Sequence, residues 1–170
     1  NSTIEGSTVA LDAAGNISNT AVEAQTTATL TATTGNILGS NVTAGTDATL
    51  DALQIVDSTV TALGGAATLT ADSVISGNTV SAMTDAILTG DLQIVNNTIS
   101  AAGTATLAGV TAVDLINNTV AAGAILANDG TIQNIIGGTY TSATTADLAA
   151  AIEIGGVTVQ ATQAATLSAG

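Results

Sequence analysis

Short runs of alternating polar and apolar residues return about every twenty positions along this chain. The run Ser58-Thr59-Val60-Thr61-Ala62 comes back as Asn78-Thr79-Val80-Ser81-Ala82, Asn97-Thr98-Ile99-Ser100-Ala101 and Gly138-Thr139-Tyr140-Thr141-Ser142. A second run, Ala28-Thr29-Leu30-Thr31-Ala32, is repeated as Ala48-Thr49-Leu50-Asp51-Ala52, Ala67-Thr68-Leu69-Thr70-Ala71, Ala86-Ile87-Leu88-Thr89-Gly90 and Ala105-Thr106-Leu107-Ala108-Gly109. A third is aliphatic: Leu53-Gln54-Ile55-Val56-Asp57, Leu92-Gln93-Ile94-Val95-Asn96 and Val113-Asp114-Leu115-Ile116-Asn117. Period-two alternation with β-branched residues predicts strands, since successive side chains then fall on opposite faces. Each unit therefore carries three short strands. A stack of helical repeats would need apolar spacings of three and four over ten or more residues, which these Thr-rich units lack.

The units start near Ser2, Asn19, Ser40, Ser58, Asn78, Asn97, Asn118 and Gly138, with a partial one from about Gly156. Self-similarity at this period marks a solenoid. The reading is all-β: a single domain over 1–170, a parallel β-helix of about eight rungs of three strands, right-handed because parallel crossovers take that hand. Val60, Ala62, Ala67, Leu69, Ala71 and Ile55 point inward, with Val80, Ala82, Leu88 and Ile94 above them, while Thr59, Thr61, Thr68 and Thr70 point out. Asn and Gly mark corners at Asn96-Asn97, Asn117-Asn118 and Gly155-Gly156, where left-handed backbone and local hydrogen bonds are needed. Asn78, Asn97 and Asn118 are expected to stack as a ladder. Neither end carries a recognisable cap, so both ends of the rod are expected to offer open strand edges.

Composition sharpens this more by absence than by presence. The hydrophobic fraction is 46%, too high for a disordered acidic chain despite a net charge of −13. Aromatic residues are almost missing, so the core must be narrow and built from Val, Ile, Leu and Ala. There is no Lys, Arg, His, Cys or Pro. That removes thiol and imidazole chemistry, and it removes the cations needed to neutralise nucleic-acid phosphates or to meet an anionic membrane. The apolar runs fall well short of the roughly 20 residues of a spanning helix. Trypsin has no site to cut. The chain opens on Asn1 without an initiator Met, which reads as a mature or excised segment.

The stretches GNTVSAMTDAILTGDLQIVNNTISAAGTATLAG and STVTALGGAATLTADSVISGN resemble the repeats of filamentous-haemagglutinin-type adhesins and autotransporter passenger domains of bacteria. The resemblance runs over nearly the whole chain. It implies a right-handed β-helix exported to the cell surface as a stalk, fibre or adhesin.

Candidate chemistry is sparse. Thirteen carboxylates without a cation raise calcium, whose ions take six to eight oxygens. Yet the acids are scattered, and Asp47 and Asp85 share a column two rungs, about 9.6 Å, apart. No cofactor is expected, beyond loosely bound calcium. Asp51 with Asp72, or Asp91 with Asp114, come near the carboxylate spacing of about 5–9.5 Å used in glycoside hydrolysis. Nothing else builds a sugar site, and the chain is read as no enzyme. The outward pairs Thr59/Thr61, Thr79/Ser81, Thr98/Ser100 and Thr139/Thr141 form a candidate ligand face for ice or a glycan, which Asn41, Glu5, Ala121 and the irregular repeat length are expected to interrupt. Glycosylation triplets stand at Asn1, Asn16, Asn41, Asn96 and Asn117. Tyr140 falls on an inward position, as a packing exception or a subunit contact. The leading expectation is an extracellular or cell-surface structural protein, stacked end to end into a filament or continued in a longer chain, with no nucleic-acid or membrane partner. An ice- or glycan-binding solenoid is the alternative.

Overall fold

Strands this short bury one side each and cannot stand alone, so they gain a core only by stacking on like strands. The computed structural model describes residues 2–170 and shows this stack: parallel strands in one continuous ladder wound as a β-solenoid of nine coils. The strands of the first face are Ser2–Gly6, Thr20–Ala24, Asn41–Ala44, Thr59–Ala62, Thr79–Ala82, residues 98–101 and 119–122, Thr139–Ser142 and Thr158–Ala161. Those of the second face run from Val9–Ala13 to Ala164–Ala169. Those of the third run from Ile17–Ser18 to Glu153–Gly155. The expected eight rungs are thus nine, because the partial unit after Gly156 supplies strands to the first two faces. The sequence marks this unit only as partial from about Gly156, since its run Thr158-Val159-Gln160-Ala161 is not preceded by the Thr, Ser or Asn found before the second to seventh coils.

Three columns of inward side chains make the core. The first face contributes Val22, Val42, Val60, Val80, Ile99, Val120 and Tyr140, all buried. The second contributes Leu30, Leu50, Leu69, Leu88, Leu107 and Leu148, each between two small inward residues, Ala or Gly, and the third Ile37, Ile55, Ile75, Ile94, Leu115 and Ile135. Full burial of such a side chain is worth about 1.5–3 kcal/mol, and here each one also packs on its own kind one coil away. Every inward residue named from the alternation is buried.

The seventh coil keeps the volume while exchanging the places. Its strand pairs Ala105 with Ile125 and Ile125 with Ala146, then Ala127 with Leu148, so Ile stands in an alanine column and Ala in a leucine column. Both are buried. One large and one small residue still fill the layer, which is the kind of core change that packing tolerates best.

Coil length varies, from the 18 residues between paired Asn41 and Thr59 to the 21 between paired Thr98 and Thr119. The variation is confined. Register shifts fall between Ala32 and Asn36, Ala52 and Gln54, Ala101 and Thr104, and Val113 and Asp114. None lies within a strand of the first face. Irregular repeat length therefore does not disturb that face, contrary to the expectation from sequence.

Candidate binding face

What holds the first face in register is the corner that precedes it. This corner is one residue with positive φ, followed before the second to seventh coils by one polar residue turned inward. The positive-φ residues are Asn19, Gly39, Asp57, Gly77, Asn96, Asn117, Gly137 and Gly156. Asn, Asp and Gly are the residues that enter this region at least cost. The inward residues that follow, Thr20, Ser40, Ser58, Asn78, Asn97 and Asn118, are buried.

These buried polar side chains form a hydrogen-bonded ladder parallel to the rod. The backbone N–H of Ser58 donates to Asn78 Oδ1 at 2.8 Å, that of Asn78 to Asn97 Oδ1 at 2.9 Å, and that of Asn97 to Asn118 Oδ1 at 3.0 Å. The Nδ2 groups of Asn78, Asn97 and Asn118 donate to the carbonyls of Ile55, Ile75 and Ile94. In earlier coils Ser58 Oγ accepts from the N–H of Ser40 at 3.2 Å, a longer version of the same bond. The expected Asn78–Asn97–Asn118 stack is present, and it lies inside the wall. It stops at Gly138, whose φ is 91° and where a Cβ would strike the backbone of Asn118.

Above this ladder the outward side chains fall into two straight columns. Thr59, Thr79, Thr98, Thr119, Thr139 and Thr158 are successive partners in the parallel ladder, all exposed. Two residues on, Thr61, Ser81, Ser100, Ala121, Thr141 and Gln160 run beside them. All eight residues read from sequence as a ligand face lie here. Two members of the first column were missed. Thr119 carried the same Asn-Thr-Val signal, in Asn118-Thr119-Val120, and was passed over because Ala121 broke the pair; Thr158 follows Val157 where the fourth to seventh coils have Ser or Asn. Asn41 and Ala121 do interrupt the columns, and Glu5 pairs with Glu23 in the first two coils. From the fourth coil to the ninth the face holds no carboxylate.

The carboxylates serve corners instead. Asp47 Oδ1 accepts the N–H of Ala66, and Asp85 Oδ1 accepts that of Thr104, so the column tacks the third coil to the fourth and the fifth to the sixth. Asp91 accepts from both the N–H and the hydroxyl of Thr111, and Asp114 accepts from Asn134 Nδ2. Asp51 and Asp72 border one small depression with Thr31 and Thr33. Among the described residues no three acids gather as a metal site. Of the glycosylation triplets, Asn96 and Asn117 are exposed at positive-φ corners and Asn41 is exposed on the first face. Asn16 is exposed, with its Oδ1 accepting the N–H of Asn36, and Asn1 lies outside the described residues.

Tyr140 is fully buried, which makes it a packing residue of the eighth coil and not a subunit contact. Its hydroxyl and that of Ser142, the next inward residue, have no hydrogen-bond partner. Burial pushes the Tyr140 pKa up to about 12, with the Asn118 side chain opposing. Asn118 Nδ2 gives one N–H to the Ile94 carbonyl, and its second N–H makes no hydrogen bond of normal geometry to the Tyr140 hydroxyl.

Comparison with protein-family models, with curated proteins and with solved structures gives no match. What the geometry establishes is the architecture, a β-solenoid of nine coils compatible with β-helix repeat proteins at large.

Proposed function

We propose that this chain is a rod segment of an extracellular structural or adhesive protein, lengthened at its ends by strand pairing. One observation carries the reading. Two of the three inward columns stay apolar from the first coil to the last, from Ile4 to Val159 and from Leu11 to Leu167. The outermost coils therefore offer a neighbour the same strand edges and apolar column that interior coils offer one another. Ile4, Leu11 and Val159 are only partly buried, and Leu167 is 47% exposed, so apolar surface is waiting for the next coil.

Such an edge is a template for another strand. Joining Thr158 to Thr3, Val159 to Ile4 and Leu167 to Leu11 of a following coil set would prolong the columns of the first two faces in register, while the third face, which has no strand in the ninth coil, would skip one rung. The contact is heterologous, so it propagates instead of closing. Further coils of the same polypeptide would satisfy it equally. A surface without Lys or Arg fits exposure to proteases, and the filamentous-haemagglutinin-type resemblance points the same way.

Electron microscopy of the purified 170-residue chain tests this directly. Fibres one solenoid wide, growing with concentration and lost in Leu167→Asp, are expected. Monomeric rods at every concentration would overturn it.

A further inference from the structure

We propose that the first face, from the fourth coil to the ninth, is an ice-binding surface. The inference rests on the fold and not on end-to-end assembly. Six threonines stand in one unbroken column, Thr59, Thr79, Thr98, Thr119, Thr139 and Thr158, with a second column of mainly hydroxyl residues two positions away. Parallel pairing sets a repeat of about 4.8 Å along the rod, and strand geometry about 6.7 Å across it. No register shift enters this lattice, although every coil differs in length from the next. The Ser58–Asn78–Asn97–Asn118 ladder beneath it fixes where four of its strands begin.

The side chains suit a solid, uncharged partner. Threonine is stiff at its first torsion, so stacked copies on equivalent backbone present methyl and hydroxyl groups in a common orientation. These hydroxyls are not drawn into the backbone bonds that occupy Thr26, Thr34 and Thr144 at the corners. The chain carries thirteen carboxylates, and on this stretch of this face there are none. A charged mineral would find no countercharge. A sugar would find no aromatic platform, since the single tyrosine is inside the core.

Each hydroxyl exchanges one water contact for another, with small net gain. The depression bordered by Thr61, Ser81, Leu63 and Met83 is shallow, so the face holds a flexible or soluble ligand poorly. Only a partner that is itself periodic and rigid engages the whole lattice at once, so that many small contacts add without repeated ordering costs. Crystalline water has that form: neutral, hydroxyl-rich and repeating in two dimensions. The second face is a built-in control. Its outward column reads Thr29, Thr49, Thr68, Ile87, Thr106, Leu126 and Asp147, half-buried in its first five members and broken by apolar and acidic residues.

The test is freezing hysteresis and ice-crystal shape with the purified chain. Adsorption to ice is read in parallel with a dye on the α-amino group, the only amine present. Faceted crystals and hysteresis rising with concentration are expected. Thr98→Tyr, at the centre of the lattice, should abolish both, while Thr68→Tyr on the second face leaves them intact; matched melting curves show that both variants fold. No hysteresis at high concentration, equal loss in the two variants, or binding to crystalline cellulose without binding to ice would each overturn the proposal. Fibre formation is a separate readout, so monomeric rods with hysteresis would remove the filament and keep the face.

Discussion

Two corners flank the third face, and they behave in opposite ways. The corner leading out of it has one form from Asn19-Thr20 to Asn117-Asn118: one positive-φ residue, then one buried polar residue. The corner leading into it ranges from the single residue Leu53 to the four residues 128–131, and it carries exposed Leu53, Leu92, Val110 and Ile152. The difference is one of interior hydrogen bonding. From Ser40 to Asn118 a buried hydroxyl or amide oxygen at the first corner accepts the backbone N–H of the coil before it, so neither length nor direction can drift. At the second corner the side chains face water and the chain is free to add or drop residues. A solenoid need not be regular everywhere to present a regular face. It needs one invariant corner immediately before that face.

The sharpest way to break the comparison is to lengthen each corner by one residue. An alanine inserted between Asn96 and Asn97 either moves Asn97 out of the ladder or slips residues 98–101, turning Ile99 and Ala101 outward. A one-residue slip exchanges the two faces of a strand. We expect a loss of more than about 4 kcal/mol, the size reserved for a broken core or buried network, seen as denaturant unfolding at much lower concentration. The same alanine inserted after Val110, in an exposed stretch outside the strands, moves only the exposed Thr111 off Asp91 and should cost about 1–2 kcal/mol. Equal losses would show that the two corners are not different in kind.

Smaller, and more selective, is removal of one side chain from the ladder. Asn97→Ala leaves the buried N–H of Asn78 without its acceptor and the Ile75 carbonyl without that donor. Buried groups left unpaired cost about 1–3 kcal/mol each, so a loss of roughly 3 kcal/mol is expected. Asn97→Ser restores an acceptor of the kind that Ser58 supplies to Ser40, and should recover about half of that loss. Hydrogen exchange at Asn78 distinguishes the two variants. Protection unchanged in the alanine variant would show that the ladder decorates the corner without fixing it.

Much of this was legible in the sequence because period-two alternation reports burial directly. Val60, Leu69 and Ile55 could be placed inward from their neighbours alone, and the Asn column followed from its spacing. Other features were hidden for physical reasons. Ile125 and Ala127 satisfy one layer jointly, so neither residue shows the expected size at its own position. The ninth coil opens on Gly156-Val157, with no polar residue to signal the ladder. The straightness of the first face was misjudged because repeat length is a sum over three corners, and only the register of each strand shows which corner absorbs the change. Thr119 and Thr158 belong to the candidate face by stacking, which a search for paired hydroxyls within one strand does not test.

The smallest effect probes the end of the ladder, where the comparison between ordered and relaxed wall can be made within one coil. At Gly138 the polar column stops, and the eighth coil instead buries the unpartnered hydroxyls of Tyr140 and Ser142. Removing an unsatisfied buried hydroxyl leaves no acceptor bereft, so Tyr140→Phe should be neutral or stabilising by up to about 1 kcal/mol near neutrality. Alkaline pH magnifies the difference. The folded-state pKa is raised to about 12 from 10.0, so the neutral form is the one the fold prefers. Stability from this group is full below pH about 10 and is lost as the pH rises through about 12, because only the unfolded chain ionises readily in between. With no Lys, Cys or His and a single Tyr, no other side chain titrates in that window. The wild-type chain should therefore lose of the order of 2 kcal/mol between pH 10 and 12 while the Phe variant stays flat. Tyrosinate absorbance that appears at pH 10 in the folded chain would show that water reaches this hydroxyl and that the wall is open where the ladder ends.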